Sequence, residues 1–254
     1  MSMSLLTHRH FRRFLVVASS LIVSGVAYAD TAAVKKAVEA RFGQPVKSVT
    51  ESGYLGLYEV FDGRRIFYTD ESANVLIDGE LYDLKKKSNV TAARLNKLTA
   101  IDFDTLPLKQ AVKIKLGDGK RVLATFEDPN CIYCKRLAKN LRELKDVSIY
   151  TFLIPILGPD SLEKTKKIWC SKDRVGAWNA WMLEAKLPKN QGDCPDAENM
   201  VAQAMELAKK YNIKGTPAMF FSNGERLGGL APAKIIEQRL RELALEKKKS
   251  RAER

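Results

Sequence analysis

Histidine is almost absent from this 254-residue sequence, because its two copies, His8 and His10, both lie within the first ten residues. Residues 1–29 have the features of a secretory signal peptide: a basic start, an apolar run over residues 14–26 and the small-residue ending Ala-Tyr-Ala, with a membrane anchor as the alternative. Cleavage after Ala29 would leave a mature chain without histidine. Such a chain excludes Ser-His-Asp triads, Cys-His nucleophile pairs and metal sites that need imidazole. Thiols, carboxylates and lysines are the reactive side chains that remain.

Long apolar runs and cysteines are also scarce. After residue 29 no stretch approaches the roughly 20 apolar residues that cross a bilayer. The sequence contains four cysteines, and export would place them in an oxidising compartment where disulfides are permitted.

Acidic residues are outnumbered by basic ones, 30 against 43, but the basic residues are dispersed among the acids. The densest basic run, residues 247–254, follows the last apolar position of a predicted helix. We interpret this segment as a solvated basic tail, with an arm that binds an anionic surface as the alternative. A nucleic-acid partner is not predicted.

Residues 30–88 predict a small α+β domain. An amphipathic helix, capped by Asp30 and ended by Gly43, precedes five strand-like segments separated by turn pairs. The segments are 46–50, 54–61, 64–69, 74–78 and 80–84. At about 55 residues a hydrophobic core alone is marginal, so this domain is predicted to dimerise.

Residues 89–105 predict a linker helix, in which apolar side chains between 91 and 101 recur at spacings of three. This helix would hold two domains apart. In residues 106–246 strands alternate with helices, which predicts a mixed sheet covered on both faces and a final helix over 232–246. The fold class is therefore an α+β N-terminal dimerisation domain, a linker helix and an α/β catalytic domain with a helical insertion.

Cys131 and Cys134 form a C-x-x-C motif that follows a buried-strand pattern and opens a helix. The free N–H groups and the dipole at a helix start stabilise a thiolate. The motif thus predicts thiol–disulfide exchange, with Cys131 as the attacking thiolate and Cys134 as the resolving thiol. The alternatives are an inert disulfide and a zinc site that uses all four cysteines.

Cys170 and Cys194 flank a predicted helix and a loop. Closing a ring of that length would constrain the unfolded chain by roughly 3.5 kcal/mol, so we predict a structural disulfide. A second redox pair is the alternative, although neither cysteine lies at an obvious helix start.

Thr216 and Pro217 immediately precede a strand-like run. A cis bond at this position would leave the preceding backbone free to pair with an incoming extended chain, and an ordinary trans turn is the alternative. Glu127 and Asp128, just before the C-x-x-C motif, are interpreted as solvated loop carboxylates, with proton carriers as the alternative.

Three parts of the sequence together resemble the DsbC/DsbG family of bacterial periplasmic disulfide isomerases: residues 126–134, residues 168–173, and residues 215–218 with 222–224. The order of strand, C-x-x-C, helix and Thr-Pro before a strand resembles a thioredoxin fold. The resemblance covers essentially the whole mature chain and implies a V-shaped homodimer joined through the N-terminal domains. One position departs from the family, because Ile132 stands where DsbC-type proteins have Gly and DsbG-type proteins have Pro.

The resemblance also implies roles and partners. Thr216 and Pro217 would form a cis-proline loop that binds substrate together with Tyr133, and Cys170–Cys194 would be the non-catalytic disulfide. The activity would be disulfide isomerisation and reduction on misfolded exported proteins in the periplasm, with chaperone activity and a membrane reductase of the DsbD type as electron donor. No cofactor or metal is implied. The alternatives are a DsbG-like reductase of sulfenylated cysteines and a chaperone-type binding module with secondary redox activity.

Overall fold

The computed structural model describes residues 30–253, so the predicted signal peptide at 1–29 lies outside the described residues. A four-stranded sheet organises the N-terminal part, and a five-stranded sheet organises the C-terminal part. Between residues 30 and 253, no helix combines the length and the apolar character that a membrane-crossing segment requires.

The N-terminal domain is one helix packed on an antiparallel sheet. Helix α1, Thr31–Phe42, begins where the Asp30 carboxylate accepts a hydrogen bond from the Ala32 N–H, and it ends at Gly43, whose φ is 65°. Its buried Val34 and Val38 form the core with the sheet. The strands, in their order across the sheet, are β1 Ser48–Glu51, β2 Tyr58–Phe61, β3 Ile66–Thr69 and β4 Leu76–Ile77.

Two of the predicted strand segments differ from the structure. The segment 54–61 becomes a strand only at Tyr58, because residues 54–57 form a turn in which the Leu57 N–H donates to the Tyr54 carbonyl at 2.9 Å. The segment 80–84 contributes only β5, Tyr82–Asp83. This short strand pairs with β6, Ser88–Asn89, in a separate two-stranded sheet.

The linker is shorter and more closely attached than predicted. Helix α2, Val90–Leu98, ends before residue 101, and a 3₁₀ turn follows at Phe103–Thr105. The Ile101 N–H donates to the Gly224 carbonyl at 3.0 Å, which fastens the linker to the C-terminal domain. The linker was expected to hold the two domains apart, but the domains are in contact. The Asn212 side-chain amide of the C-terminal domain donates a hydrogen bond to the Gly63 carbonyl of the N-terminal domain at 2.6 Å.

The C-terminal sheet has the order β11-β10-β8-β9-β7. Only β8 and β9 are parallel, so the sheet is mixed, as the alternating pattern predicted. Its strands are β7 Val112–Leu116, β8 Arg121–Glu127, β9 Val147–Leu153, β10 Ala218–Phe221 and β11 Arg226–Gly228.

Helices cover both faces of this sheet because successive strand side chains point to opposite sides. Leu123 of β8 belongs to the core under α3 and α7, whereas its neighbour Ala124 belongs to the core under α4 and α6. Helix α5 packs on α3 and β7 beside the cysteine pair. The helices are α3 Ile132–Leu141, α4 Pro159–Trp169, α5 Arg174–Glu184, α6 Ala197–Lys210 and α7 Ala233–Ala252.

The basic segment 247–254 was interpreted as a solvated tail that follows the last helix, and the structure corrects where that helix ends. Helix α7 continues past residue 246 to Ala252. Lys, Glu, Arg and Ala are strong helix formers, and the segment contains no glycine or proline to end the helix. The cations at positions 247–251 therefore lie on an exposed helical extension, where Lys249 forms an i,i+4 ion pair with Glu253 at 4.0 Å.

Candidate functional site: a thiol pair at the start of a helix

Cys131 is the N-cap residue of α3, directly after strand β8 and a short turn. Its sulfur accepts a hydrogen bond from the Cys134 backbone N–H at 3.4 Å. Both cysteines are free thiols, and both are buried, with exposed fractions of 5% for Cys131 and 0% for Cys134. The Cys131 sulfur thus lies at the positive end of the helix dipole and is hydrogen-bonded to a backbone N–H of the first helical turn.

The Thr216–Pro217 peptide bond is cis. The Cys131 thiol donates to the Thr216 carbonyl at 3.3 Å, although the two residues are 85 positions apart in the sequence. Sheet topology explains the contact: β10 begins just after Pro217 and pairs antiparallel with the end of β8, where Ala218 is opposite Phe126. The end of one strand and the start of its antiparallel neighbour necessarily meet at the same edge.

Tyr133 lies in the first turn of α3 with about half of its surface exposed, at 53%, and Ile132 beside it is 59% exposed. The Arg136 guanidinium lies 5.9 Å from the centre of the Tyr133 ring. The two side chains between the cysteines therefore face solvent rather than the core.

Glu127 and Asp128 are not solvated, so that interpretation is wrong: their exposures are 1% and 0%. One oxygen of Glu127 accepts from the Thr125 hydroxyl at 2.8 Å, and its Oε2 has no hydrogen-bond partner among the described residues. Burial raises the pKa of Glu127 to about 7. A carboxyl at the carboxyl end of β8 is thus poised to exchange a proton near neutral pH.

Cys134 shares this buried environment. Burial raises the pKa of the Cys134 thiol far above its usual range, and the charge of Glu127 raises that pKa further. The Cys134 thiol is therefore harder to ionise than an exposed cysteine.

Asp128 holds the turn before the cysteine pair. Its carboxylate accepts from the Asn130 N–H at 2.7 Å, the Leu157 N–H at 2.9 Å and the Ser161 hydroxyl at 2.7 Å. Three donors satisfy a carboxylate that would otherwise be costly to bury. Asp128 thereby ties the cysteine turn to the start of α4.

Trp181 of α5 was not anticipated from the sequence. Its indole N–H donates to the Pro129 carbonyl at 2.7 Å, and the ammonium groups of Lys135 and Lys164 lie 4.4 and 4.7 Å from the centre of its ring. Trp181 thus supports the turn that carries Cys131. Nothing in its local sequence signals this role, because the contact is created by the packing of α5 on α3.

The second cysteine pair forms a disulfide, with the Cys170 and Cys194 Cα atoms 5.5 Å apart. The bond joins the end of α4 to the loop before α6, and it is incompatible with a zinc site that uses all four cysteines. Within residues 30–253, no three His, Cys, Asp or Glu side chains are grouped as metal ligands.

Comparisons with known proteins agree with this geometry. Residues 108–244 match the thioredoxin-like domain, and residues 25–92 match the disulfide bond isomerase protein N-terminal domain. A probable thiol:disulfide interchange protein DsbC of Bordetella parapertussis is 42% identical over 210 residues, which cover 82% of this chain and 73% of the relative. The chain belongs to the DsbC family.

Two further disulfide interchange proteins are also similar to this chain. The thiol:disulfide interchange protein DsbC of Escherichia coli is 25% identical over 223 residues, which cover 86% of this chain and 91% of that protein. The crystal structure of a disulfide interchange protein from Neisseria gonorrhoeae is 36% identical and superposes with a TM-score of 0.51 over 54% of this chain and 97% of its own.

Membership of the DsbC family confirms three predictions made from the sequence. The fold is an N-terminal antiparallel-sheet domain joined through a helix to a thioredoxin-like domain with a helical insertion. The activity is thiol:disulfide interchange, with the C-x-x-C pair inside the thioredoxin-like domain. The protein is an enzyme of the disulfide isomerase class.

Proposed function

We propose that this protein is a dimeric periplasmic isomerase and reductase that rearranges wrong disulfides in exported proteins, with Cys131 as the attacking thiolate. The supporting observation is the position of the Cys131 sulfur, at the start of α3 and 3.3 Å from the carbonyl that precedes the cis proline. A client strand that pairs with the Thr216–Pro217 loop would carry its disulfide to this sulfur.

The reaction begins when the Cys131 thiolate attacks one sulfur of the client disulfide. A Cys131–client bond forms, and the other client sulfur leaves as a thiolate. In isomerisation a different client thiolate then attacks the client sulfur, and Cys131 leaves as the thiolate with no net oxidation. In reduction Cys134 attacks the Cys131 sulfur instead, so that the client gains two electrons and a Cys131–Cys134 disulfide forms.

Glu127 would control the choice between these outcomes. Cys134 must lose a proton before it attacks, and its raised pKa prevents this unless a base is at hand. The Glu127 carboxylate, buried beside it with a pKa of about 7, is suited to accept that proton. Slow ionisation of Cys134 lengthens the life of the mixed disulfide, which favours isomerisation by the client's own thiols.

Binding of unfolded clients is supported by apolar side chains near the sulfur. Ile132 and Tyr133 are exposed in the first turn of α3. Leu157, whose N–H donates to the Asp128 carboxylate, and Leu230, in the loop after β11, are exposed as well. An unfolded client exposes apolar segments that this surface would cover, which also accounts for chaperone activity.

Dimerisation through the N-terminal domain is supported by β4. This strand lies at the edge of the four-stranded sheet, and its Leu76 and Ile77 are exposed, as is the preceding Val75. An apolar edge strand is a template for pairing with another chain, and a second copy of the same strand would cover it. In the periplasm a membrane reductase of the DsbD type would return the Cys131–Cys134 disulfide to the dithiol.

The refolding of scrambled ribonuclease in a glutathione buffer tests this proposal. We expect the wild-type chain to accelerate the recovery of ribonuclease activity and Cys131→Ala to leave it at the rate of the buffer alone. Equal rates for the two proteins would contradict the proposal. A Cys131→Ala, Cys134→Ala double variant that still suppresses aggregation would separate chaperone activity from exchange.

A further inference from the structure

A crevice of about 370 Å³ lies between the two domains and opens beside the cis-proline loop. Thr216 and Pro217 form one part of its lining, and Arg64 of the N-terminal domain forms another. It shares Arg64, Lys214 and Arg226 with a larger interdomain cavity of about 880 Å³. The crevice therefore begins where a client strand would lie and continues toward the N-terminal domain.

The charged side chains that line this crevice are all cations: Arg64, Lys214 and Arg226. The acids that lie nearest to these cations in the sequence, Asp62 and Glu225, already have hydrogen-bond donors. Asp62 accepts from the N–H groups of Arg64 and Arg65 at 2.7 and 2.9 Å. The Glu225 carboxylate is bound by the Arg239 guanidinium at 2.6 Å.

Arg226 is half-buried, and no carboxylate among the described residues pairs with it. Its polar contact is a 3.4 Å hydrogen bond from Nη1 to the Asn212 carbonyl, and its guanidinium lies 5.8 Å from the centre of the Phe220 ring. Burial lowers the pKa of Arg226. A guanidinium nevertheless stays protonated in proteins, so the charge persists.

Other arginines of the chain show what Arg226 lacks. Arg94, Arg121 and Arg239 each have a carboxylate within 3 Å, supplied by Glu59, Glu237 and Glu225. Because burying an unpaired charge is costly, Arg226 would be stabilised by an anion from outside the chain.

We propose that the crevice is a subsite for a carboxylate of the client, an aspartate or glutamate near the disulfide, held by Arg226 with Arg64 and Lys214 beside it. This inference rests on the proposed function. Arg226 is opposite Phe220 on β10, three residues beyond Pro217, which corresponds to about 10 Å along the sheet. An acid about three residues from the client cysteine would therefore reach it.

The test uses the full-length Cys134→Ala protein, which retains Cys131 and traps mixed disulfides. Three peptides of equal length each contain one cysteine, which forms a disulfide with a neutral aromatic thiol. They differ only in the residue three positions from this cysteine, which is Glu, Gln or Lys. The second-order rate constant is measured from release of that thiol at low salt. We expect the Glu peptide to react about tenfold faster than the Gln peptide, the size of one charge-assisted hydrogen bond of 1.4 kcal/mol.

In the Arg226→Gln variant the Glu to Gln ratio should fall to about one. Lys234→Gln is the matched control, because Lys234 is an exposed cation of α7 outside the crevice, and it should keep the tenfold ratio. If Arg226→Gln fails to fold by circular dichroism, Arg64→Gln takes its place and should lower the ratio about threefold. A wild-type ratio near one, or a ratio that survives Arg226→Gln or the Arg64→Gln variant used in its place, would overturn the subsite.

Failure of the proposed function has a different signature. In that case none of the three peptides would react faster with the protein than with its Cys131→Ala form. Reaction of all three peptides at one common rate would instead retain Cys131 as the nucleophile and remove only the carboxylate subsite.

Discussion

The C-terminal domain contains two cysteine pairs, of which one is a pair of free thiols and the other a disulfide. Cys131 and Cys134 are neighbours in one turn at the start of α3, whereas the Cys170–Cys194 disulfide spans a separation of 24 residues. A bond between neighbours removes few unfolded conformations, while a bond across a long loop removes many. Sequence separation therefore favours stabilisation as the role of the second pair and gives the first pair no such role.

The surroundings of the two pairs enlarge this difference. The Cys131 sulfur is hydrogen-bonded to the Cys134 backbone N–H and to the Thr216 carbonyl before the cis proline. Cys134 shares a buried site with Glu127, which raises the pKa of the thiol. Cys170 and Cys194 instead pack against the apolar core under α4 and α6, without a buried acid that titrates near neutral pH.

The largest effect is expected at the first pair. Cys131→Ala removes the nucleophile, so turnover in the ribonuclease assay should fall by about a thousandfold or more, to the uncatalysed rate. The free energy of unfolding in urea should change by less than about 1 kcal/mol, because the pair contributes no long-range cross-link. A strongly destabilised Cys131→Ala protein would contradict the contrast between the pairs.

The second effect is expected at the other pair. Replacing both Cys170 and Cys194 by alanine should lower the free energy of unfolding by roughly 3.5 kcal/mol, from the entropy of a loop of this length. Urea denaturation of the oxidised proteins measures it. The rate of Cys131 alkylation should stay within about twofold of wild type, and a larger change would show that the two pairs are coupled.

Stability should also depend on the buried acid beside the first pair. The folded pKa of Glu127 is raised from 4.5 to about 7, so between these pH values the folded state holds a proton that the unfolded state has lost. The free energy of unfolding should therefore fall by about 3 kcal/mol as the pH rises from 4.5 to 7 and then level off.

Glu127→Gln is the control for that titration, and its pH profile of stability should be flatter over the same window. In the same variant Cys134 should resolve the mixed disulfide about tenfold more slowly at pH 8, because the proton acceptor is gone. Unchanged resolution would exclude Glu127 as that acceptor.

The smallest effect concerns the support of the cysteine turn. Trp181→Phe keeps an aromatic ring but removes the hydrogen bond to the Pro129 carbonyl, so stability should fall by about 1 kcal/mol. The rate of Cys131 alkylation should change a few-fold. Trp169 lies beside the structural disulfide, and Trp169→Phe should leave that rate unchanged. Equal effects of the two substitutions on alkylation would show that Trp181 has no particular role at the turn.

Much of the fold was predictable because its signals are local. Helix α1 lies between its caps Asp30 and Gly43, as the sequence indicated. The alternation of strands and helices indicated the mixed sheet. The errors also have local causes: residues 54–57 alternate like a strand but close a turn, and the helix-forming residues after 246 extend α7.

A C-x-x-C motif at a helix start and the spacing of the second cysteine pair are properties of short segments, so the chemistry of this protein could be predicted from its sequence. The groups that surround that chemistry are instead set by tertiary packing. Tertiary packing brings the Thr216 carbonyl to Cys131 and buries Glu127 beside Cys134, and within residues 30–253 it pairs no carboxylate with Arg226. Such contacts join residues far apart in the chain, and burial follows from how the strands and helices pack rather than from the identity of one residue.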